Sequence, residues 1–119
     1  MERQTGFIND VEKIWGREFW VVNNDKYCMK FLFIQPGGCS SLHSHKKKDE
    51  TFYVDEGYCF LEVDGTTTRL ETGDSVHLEP GMKHRFWVPK EQPHGCMIVE
   101  VSTTHDEADV VRYEASKKL

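Results

Sequence analysis

The chain has 119 residues, a formal net charge of -5 and no composition shift along its length, which leaves room for one domain. The acidic balance argues against a general nucleic-acid surface. No apolar run reaches transmembrane length, which argues against a membrane span.

In chain order, Val11 to Trp15 reads as a helical turn or an arm within a leading segment, residues 1–16. Glu18-Phe19-Trp20-Val21-Val22 predicts a strand, and Asn23-Asn24-Asp25 is a strong turn signal. Tyr27 to Ile34 follows as an apolar strand, and Gln35-Pro36-Gly37-Gly38 turns out of it. Lys46-Lys47-Lys48-Asp49 is too polar to bury and reads as a turn, its lysines as a solvated loop. Glu50 to Val54 predicts a strand ending at Asp55-Glu56-Gly57. Tyr58 to Val63 and Thr66 to Leu70 flank Asp64-Gly65, the best hairpin signal in the chain. Ser75 to Leu78, His84 to Val88 and Cys96 to Ser102 predict three more short strands, and residues 103–119 form a tail. Turns at this density, without long helical periodicity, predict an all-β barrel or sandwich. Such small barrels expose sheet edges, so a homodimer is expected. Cys28, Cys39, Cys59 and Cys96 form no CxxC pair. Free thiols in a cytoplasmic setting are expected, since Met1-Glu2-Arg3-Gln4 holds no apolar targeting region.

The chemistry-bearing stretch is Gly37-x5-His43-x-His45-x4-Glu50-x6-Gly57, joined by His84 in Gly73-Asp74-x5-Pro80-Gly81-x2-His84. On a strand, His43 and His45 project from one face while Ser44 points away. Any one of these histidines alone is more simply an ordinary polar residue. Three imidazoles and one carboxylate, each beside a turn, instead describe a divalent-metal site with coordination positions left open. Zinc, manganese, iron and nickel all suit these donors.

This spacing resembles the cupin superfamily, whose two motifs supply metal ligands inside a small double-stranded β-helix, or jelly-roll, barrel. The first motif matches from Gly37 to Gly57. In the second, Gly73, Gly81 and His84 match, whereas Glu79 replaces a usual proline and Val88 a frequent asparagine. The resemblance implies His43, His45, Glu50 and His84 as ligands. Trp15-Gly16-Arg17-Glu18, Glu100-Val101-Ser102 and Asp106-Glu107-x-Asp109-Val110-Val111-Arg112 extend it toward the cupin domain of type II mannose-6-phosphate isomerases. That family often has Gln-x-His where this chain has His43-x-His45. Lys48-x-Glu50 is also similar to cupin isomerases that act on free pentoses or hexoses.

Aldose–ketose interconversion requires removing a proton beside a carbonyl, with a Lewis acid for the developing enediolate and a base to shuttle the proton. Glu100 is the first candidate base, its plainer role being a solvent-facing strand residue. Lys48 is a candidate acid, against an ordinary loop lysine. Glu62 is a candidate substrate contact, against an exposed strand glutamate. Arg112 could bind a phosphate, or pair with Asp109 or Glu107 to pin the tail. His105 near the chain end has no required role. Three functions follow in order: a metal-dependent sugar or sugar-phosphate isomerase, an iron-dependent dioxygenase, and a non-catalytic sugar-binding protein.

Overall fold

The computed structural model describes residues 1–119. Twelve strands and one short 3-10 turn make up the fold: β1 (Asn9–Lys13), β2 (Gly16–Asn23), β3 (Cys28–Ile34), β4 (Gly38–Cys39), β5 (Leu42–His45), β6 (Glu50–Val63), β7 (Thr66–Glu71), β8 (Ser75–Leu78), β9 (His84–Trp87), β10 (Cys96–Ser102), β11 (Val110–Glu114) and β12 (Lys117–Lys118). No helix is long and apolar enough to cross a membrane.

One curled antiparallel sheet forms both walls of the half-barrel. The first wall runs β1-β2-β3-β10 onto the leading half of β6, which β8 flanks. The second places β7 and β9 beside the trailing half of β6, with β4, β5, β11 and β12 beyond. The expected break of β6 at Asp55-Glu56-Gly57 does not occur. The strand instead passes through a bulge: Val54 pairs with Ile98 and Glu56 with Met97, leaving Asp55 as the extra residue. Gly57 has a positive φ of 85°, and a Cβ there would strike the Gly95 carbonyl. The glycine thus serves a bend in one strand that belongs to both walls.

Alternation along the strands fills the interior. In β3, Cys28, Lys30, Leu32 and Ile34 are buried while Met29, Phe31 and Phe33 are half-buried on the outer face. Leu32, Ile34, Phe52, Val54 and Ile98 of one wall meet Cys59, Leu61 and Phe86 of the other. Trp15 and Phe86 pack edge to face at 4.9 Å. Asp64 and Gly65 both have positive φ, 48° and 86°, as a two-residue hairpin turn demands. All four cysteines are free and buried.

Both ends of the chain are woven into the sheet. Val11 to Lys13 is not helical, because Asn9–Lys13 forms a ladder with Gly16–Trp20 that satisfies its backbone groups. The tail is ordered too. β11 pairs with β5, setting Arg112 opposite His43, and β12 pairs with β4.

Gly57→Ala is expected to destabilise the protein by about 3 kcal/mol through backbone strain and the clash with Gly95. Gly81→Ala, with φ 88° but nothing within 4 Å, is expected to lose only about 1–2 kcal/mol. Urea unfolding of the two variants checks this, and equal losses would contradict the bulge account.

Candidate metal centre

β5 carries His43 and His45 on its inward face, and Ser44, pointing the other way, shares a 2.9 Å hydrogen bond with the Tyr113 hydroxyl. β9 lies antiparallel to β5 with His84 directly opposite His43. The three imidazoles converge, each offering a ring nitrogen within 4.8 Å of the others. Glu50, at the start of β6, closes the fourth side. Its Oε1 lies 3.0 Å from His84 Nε2 and its Oε2 lies 3.7 Å from His45 Nε2.

Backbone carbonyls fix two of the rings. His43 Nδ1 lies 2.9 Å from the Ser41 carbonyl, and His84 Nδ1 lies 2.9 Å from the Met82 carbonyl. A carbonyl only accepts, so each Nδ1 carries a proton, which in a neutral ring leaves Nε2 with the lone pair a metal needs. Meanwhile both oxygens of Glu50, His84 Nε2 and His45 Nδ1 are buried without a hydrogen-bond partner. The 3.0 Å approach of Glu50 to His84 therefore lacks hydrogen-bond alignment. Four unsatisfied buried polar atoms in one spot are costly unless something positive sits among them. This donor set fits a divalent cation.

Electrostatics keep the donors in their ligating forms. Burial above all, then His84, pushes His43 down to about 3, and burial pushes His45 down to about 4. Burial works against ionisation of Glu50, but His84, Lys48 and His45 outweigh it and hold the carboxyl below its usual range. Both histidines are neutral at neutral pH and Glu50 is ionised.

Lys48 is not part of a solvated loop. Lys46 and Lys47 are exposed, but Lys48 is 3% exposed and turns inward. The carboxylate of Asp109 accepts from the Lys47 and Lys48 amides at 2.9 and 3.0 Å, which sets that turn. The Lys48 ammonium lies 2.6 Å from Glu100, 3.2 Å from Glu50 and 3.1 Å from His105 Nδ1. Burial would lower its pKa, but Glu100 and Glu50 raise it above the ordinary lysine value. Glu100 sits on the inward face of β10 with Cys96 and Ile98, and it too is buried.

His43, His45, Lys48, Glu50 and Glu100 line a cavity of about 130 Å³, close to the roughly 150 Å³ that accepts a molecule the size of benzene. Arg112 also lines it, half-exposed and paired with Glu107 at 3.1 Å. Glu62 does not line this cavity; its carboxylate pairs with Arg85 at 3.2 Å. The structure adds Lys30, Glu18 and His105, which the motif spacing did not single out. His105 accepts from Lys48 through Nδ1 and donates to Glu107 through Nε2 at 2.9 Å. Lys30 is visible in the sequence only as a charge interrupting Cys28-Met29-Lys30-Phe31-Leu32.

The buried histidines imply a pH dependence of stability. In the unfolded chain both take up protons near the ordinary value of 6.5, whereas folded they resist down to about 3 and 4. The unfolded state therefore binds more protons across that window, and stability falls as pH falls. Metal-free protein is expected to lose stability from pH 6.5 toward 4, by at most about 1.4 kcal/mol per histidine per pH unit. Urea titrations of stripped protein check it, and a flat profile between pH 6.5 and 4 would contradict it.

Comparison with known proteins supplies the family. The family model described as Cupin domain matches residues 30–100. Mannose-1-phosphate guanylyltransferase of Sinorhizobium fredii is 24% identical over 82% of this chain but only 19% of its own length. The chain thus spans about a fifth of such relatives. D-lyxose/D-mannose isomerase of Thermosediminibacter oceani is 26% identical, covering 94% of this chain and 76% of the relative. The solved structure of KdgF from Halomonas sp. superposes with a TM-score of 0.74 at 15% identity, over 89% of this chain and 98% of that one. A match over more than half the chain, on a double-walled β fold of this kind, places the protein in the cupin family.

Proposed function

We propose that this chain is a metal-dependent isomerase that interconverts an aldose and a ketose, acting on a sugar or sugar phosphate. The observation that carries this reading is the buried contact of Lys48 with Glu100, 2.6 Å long, in the same cavity as His43, His45 and Glu50. It sets a proton acceptor and a proton donor side by side next to the candidate metal ligands. The name of the D-lyxose/D-mannose isomerase relative supports the same class.

His43, His45, Glu50 and His84 would hold the ion. A divalent cation bound there supplies Lewis-acid polarisation of a carbonyl and its neighbouring hydroxyl. The Glu100 carboxylate takes the proton from C2 of the aldose and returns it to C1, while a hydroxyl proton moves from O2 to O1, so the reaction balances without a co-reactant. Lys48, held between Glu50 and Glu100, donates hydrogen bonds toward the oxygen on which charge develops. His105 orients Lys48 from the other side, and Glu107 orients His105 in turn. Leu32, Phe52 and Phe86 supply the apolar lining that restricts water.

The test is proton NMR in deuterated water on metal-loaded protein with a panel of aldoses and their phosphates. Ketose formation, or deuterium entering at C2, is expected. Oxygen uptake, or sugar binding without exchange, would replace the reading with an oxygenase or a binding protein. His45→Ala is expected to lose stoichiometric metal while keeping the β-rich fold, and undiminished metal content would remove His45 from the ligand set. Glu100→Gln is expected to keep its metal and lose at least about 100-fold in turnover. Unchanged turnover would remove Glu100 as the base.

A further inference from the structure

The first wall turns an apolar surface outward, away from the imidazoles. β10 buries Cys96, Ile98, Glu100 and Ser102 and turns Met97, Val99 and Val101 out. β3 buries Cys28, Lys30, Leu32 and Ile34 and turns out Met29, Phe31 and Phe33. In both strands the outward set is the more apolar of the two. That reverses the pattern of an antiparallel sheet with one solvated face.

Register joins these side chains into one surface. Phe19, Phe31, Val99 and Tyr53 stand side by side across β2, β3, β10 and β6. Phe33 and Met97 pair on one side of that row, and Met29 and Val101 on the other. The leading arm adds Phe7, whose ring lies 5.2 Å from Phe19 and 6.2 Å from Phe31. These groups leave one another open to solvent: Val101 is 54% exposed, Phe7 50% and Tyr53 44%. Charge is confined to the margins, with Arg17 paired to Asp10 on the β1 side and Glu56 opposite Met97 on the β6 side. A charge-free centre inside a polar rim is the anatomy of a protein–protein interface.

Shape and size select the occupant. Four strands about 4.8 Å apart and seven residues long present roughly 430 Å² in plan. Two copies would cover roughly 900 Å² in plan, and side-chain relief with the Phe7–Ile8 arm carries the total past the roughly 1,000 Å² of a specific interface. A sheet face without central charge is complementary to itself about a two-fold axis, and two such faces pack about 10 Å apart. The free edge strand β1 instead carries Asn9, Asp10, Glu12 and Lys13, which opposes joining of edges. We infer that the outer face of β2, β3, β10 and the leading half of β6 docks a second copy of this chain, packed face to face as a two-fold dimer. The homodimer expected from exposed sheet edges is thereby assigned to a different surface.

Sedimentation velocity of the full-length protein across the micromolar range tests it, alongside Val101→Lys, Tyr53→Lys and Phe7→Ser. The wild type is expected to sediment as a dimer. Each variant is expected to weaken the dimer about tenfold or more, with an unchanged far-ultraviolet circular dichroism spectrum. Val101 and Tyr53 point to solvent in the single chain, and Phe7 lies in the arm before β1, so Phe7→Ser reports without altering a strand. A wild-type monomer throughout the range would overturn the inference, whether the face stays bare or serves a different protein. A dimer of unchanged affinity in all three variants would overturn it too, by placing the contact elsewhere.

Discussion

Glu50 carries two buried carboxylate oxygens with no hydrogen-bond partner from the protein, at the polar end of a half-barrel whose core is otherwise apolar. An ionised carboxylate in that position requires compensating positive charge. Lys48 supplies some of it at 3.2 Å, but Lys48 also faces Glu100. A cation among the three imidazoles would meet the remaining need, and backbone carbonyls behind His43 and His84 hold two of those rings in place. The arrangement is intelligible as a preformed receptor, held by the fold before the ion arrives.

Several distant segments serve that receptor. β6 runs through both walls, so Glu50 at its start and the His84-bearing β9 beside its end belong to one continuous element. Asp109, near the chain end, grips the amides of the Lys46–Asp49 turn and thereby aims Lys48 inward. β11 then covers β5 and brings Arg112 to the cavity. Removing such a tail would act on the Lys48–Glu100 pair through position, without touching a candidate ligand. The family assignment explains why this scaffold recurs, while the activity depends on which side chains fill the cavity.

The four donors were legible because strand parity is strict: His43 and His45 share a face, and turns set Glu50 and His84 at strand starts. Glu100 was legible for the same reason, through its parity with Cys96 and Ile98. Other features depend on long-range geometry that local pattern does not carry. The bulge that keeps β6 continuous is set by the close approach of Gly95 to Gly57. Lys48 and its exposed neighbours Lys46 and Lys47 look alike in sequence; only the Asp109 clamp, about sixty residues away, separates them. Glu62 had the alternation of an inward residue, but it lies beyond the bulge and pairs with Arg85. Lys30 was hidden in a strand that reads as apolar, and the Trp20 ring and Glu18 that hold it come from β2.

The central claim is that His43, His45, Glu50 and His84 hold one divalent ion and leave positions on it for a ligand. Electron paramagnetic resonance of the manganese-loaded protein in water enriched with oxygen-17 tests this most directly. The account predicts one manganese per chain, nitrogen couplings from histidine, and line broadening from bound water that a saturating sugar diminishes. Absence of histidine nitrogen coupling, or of any exchangeable water on the ion, would contradict it.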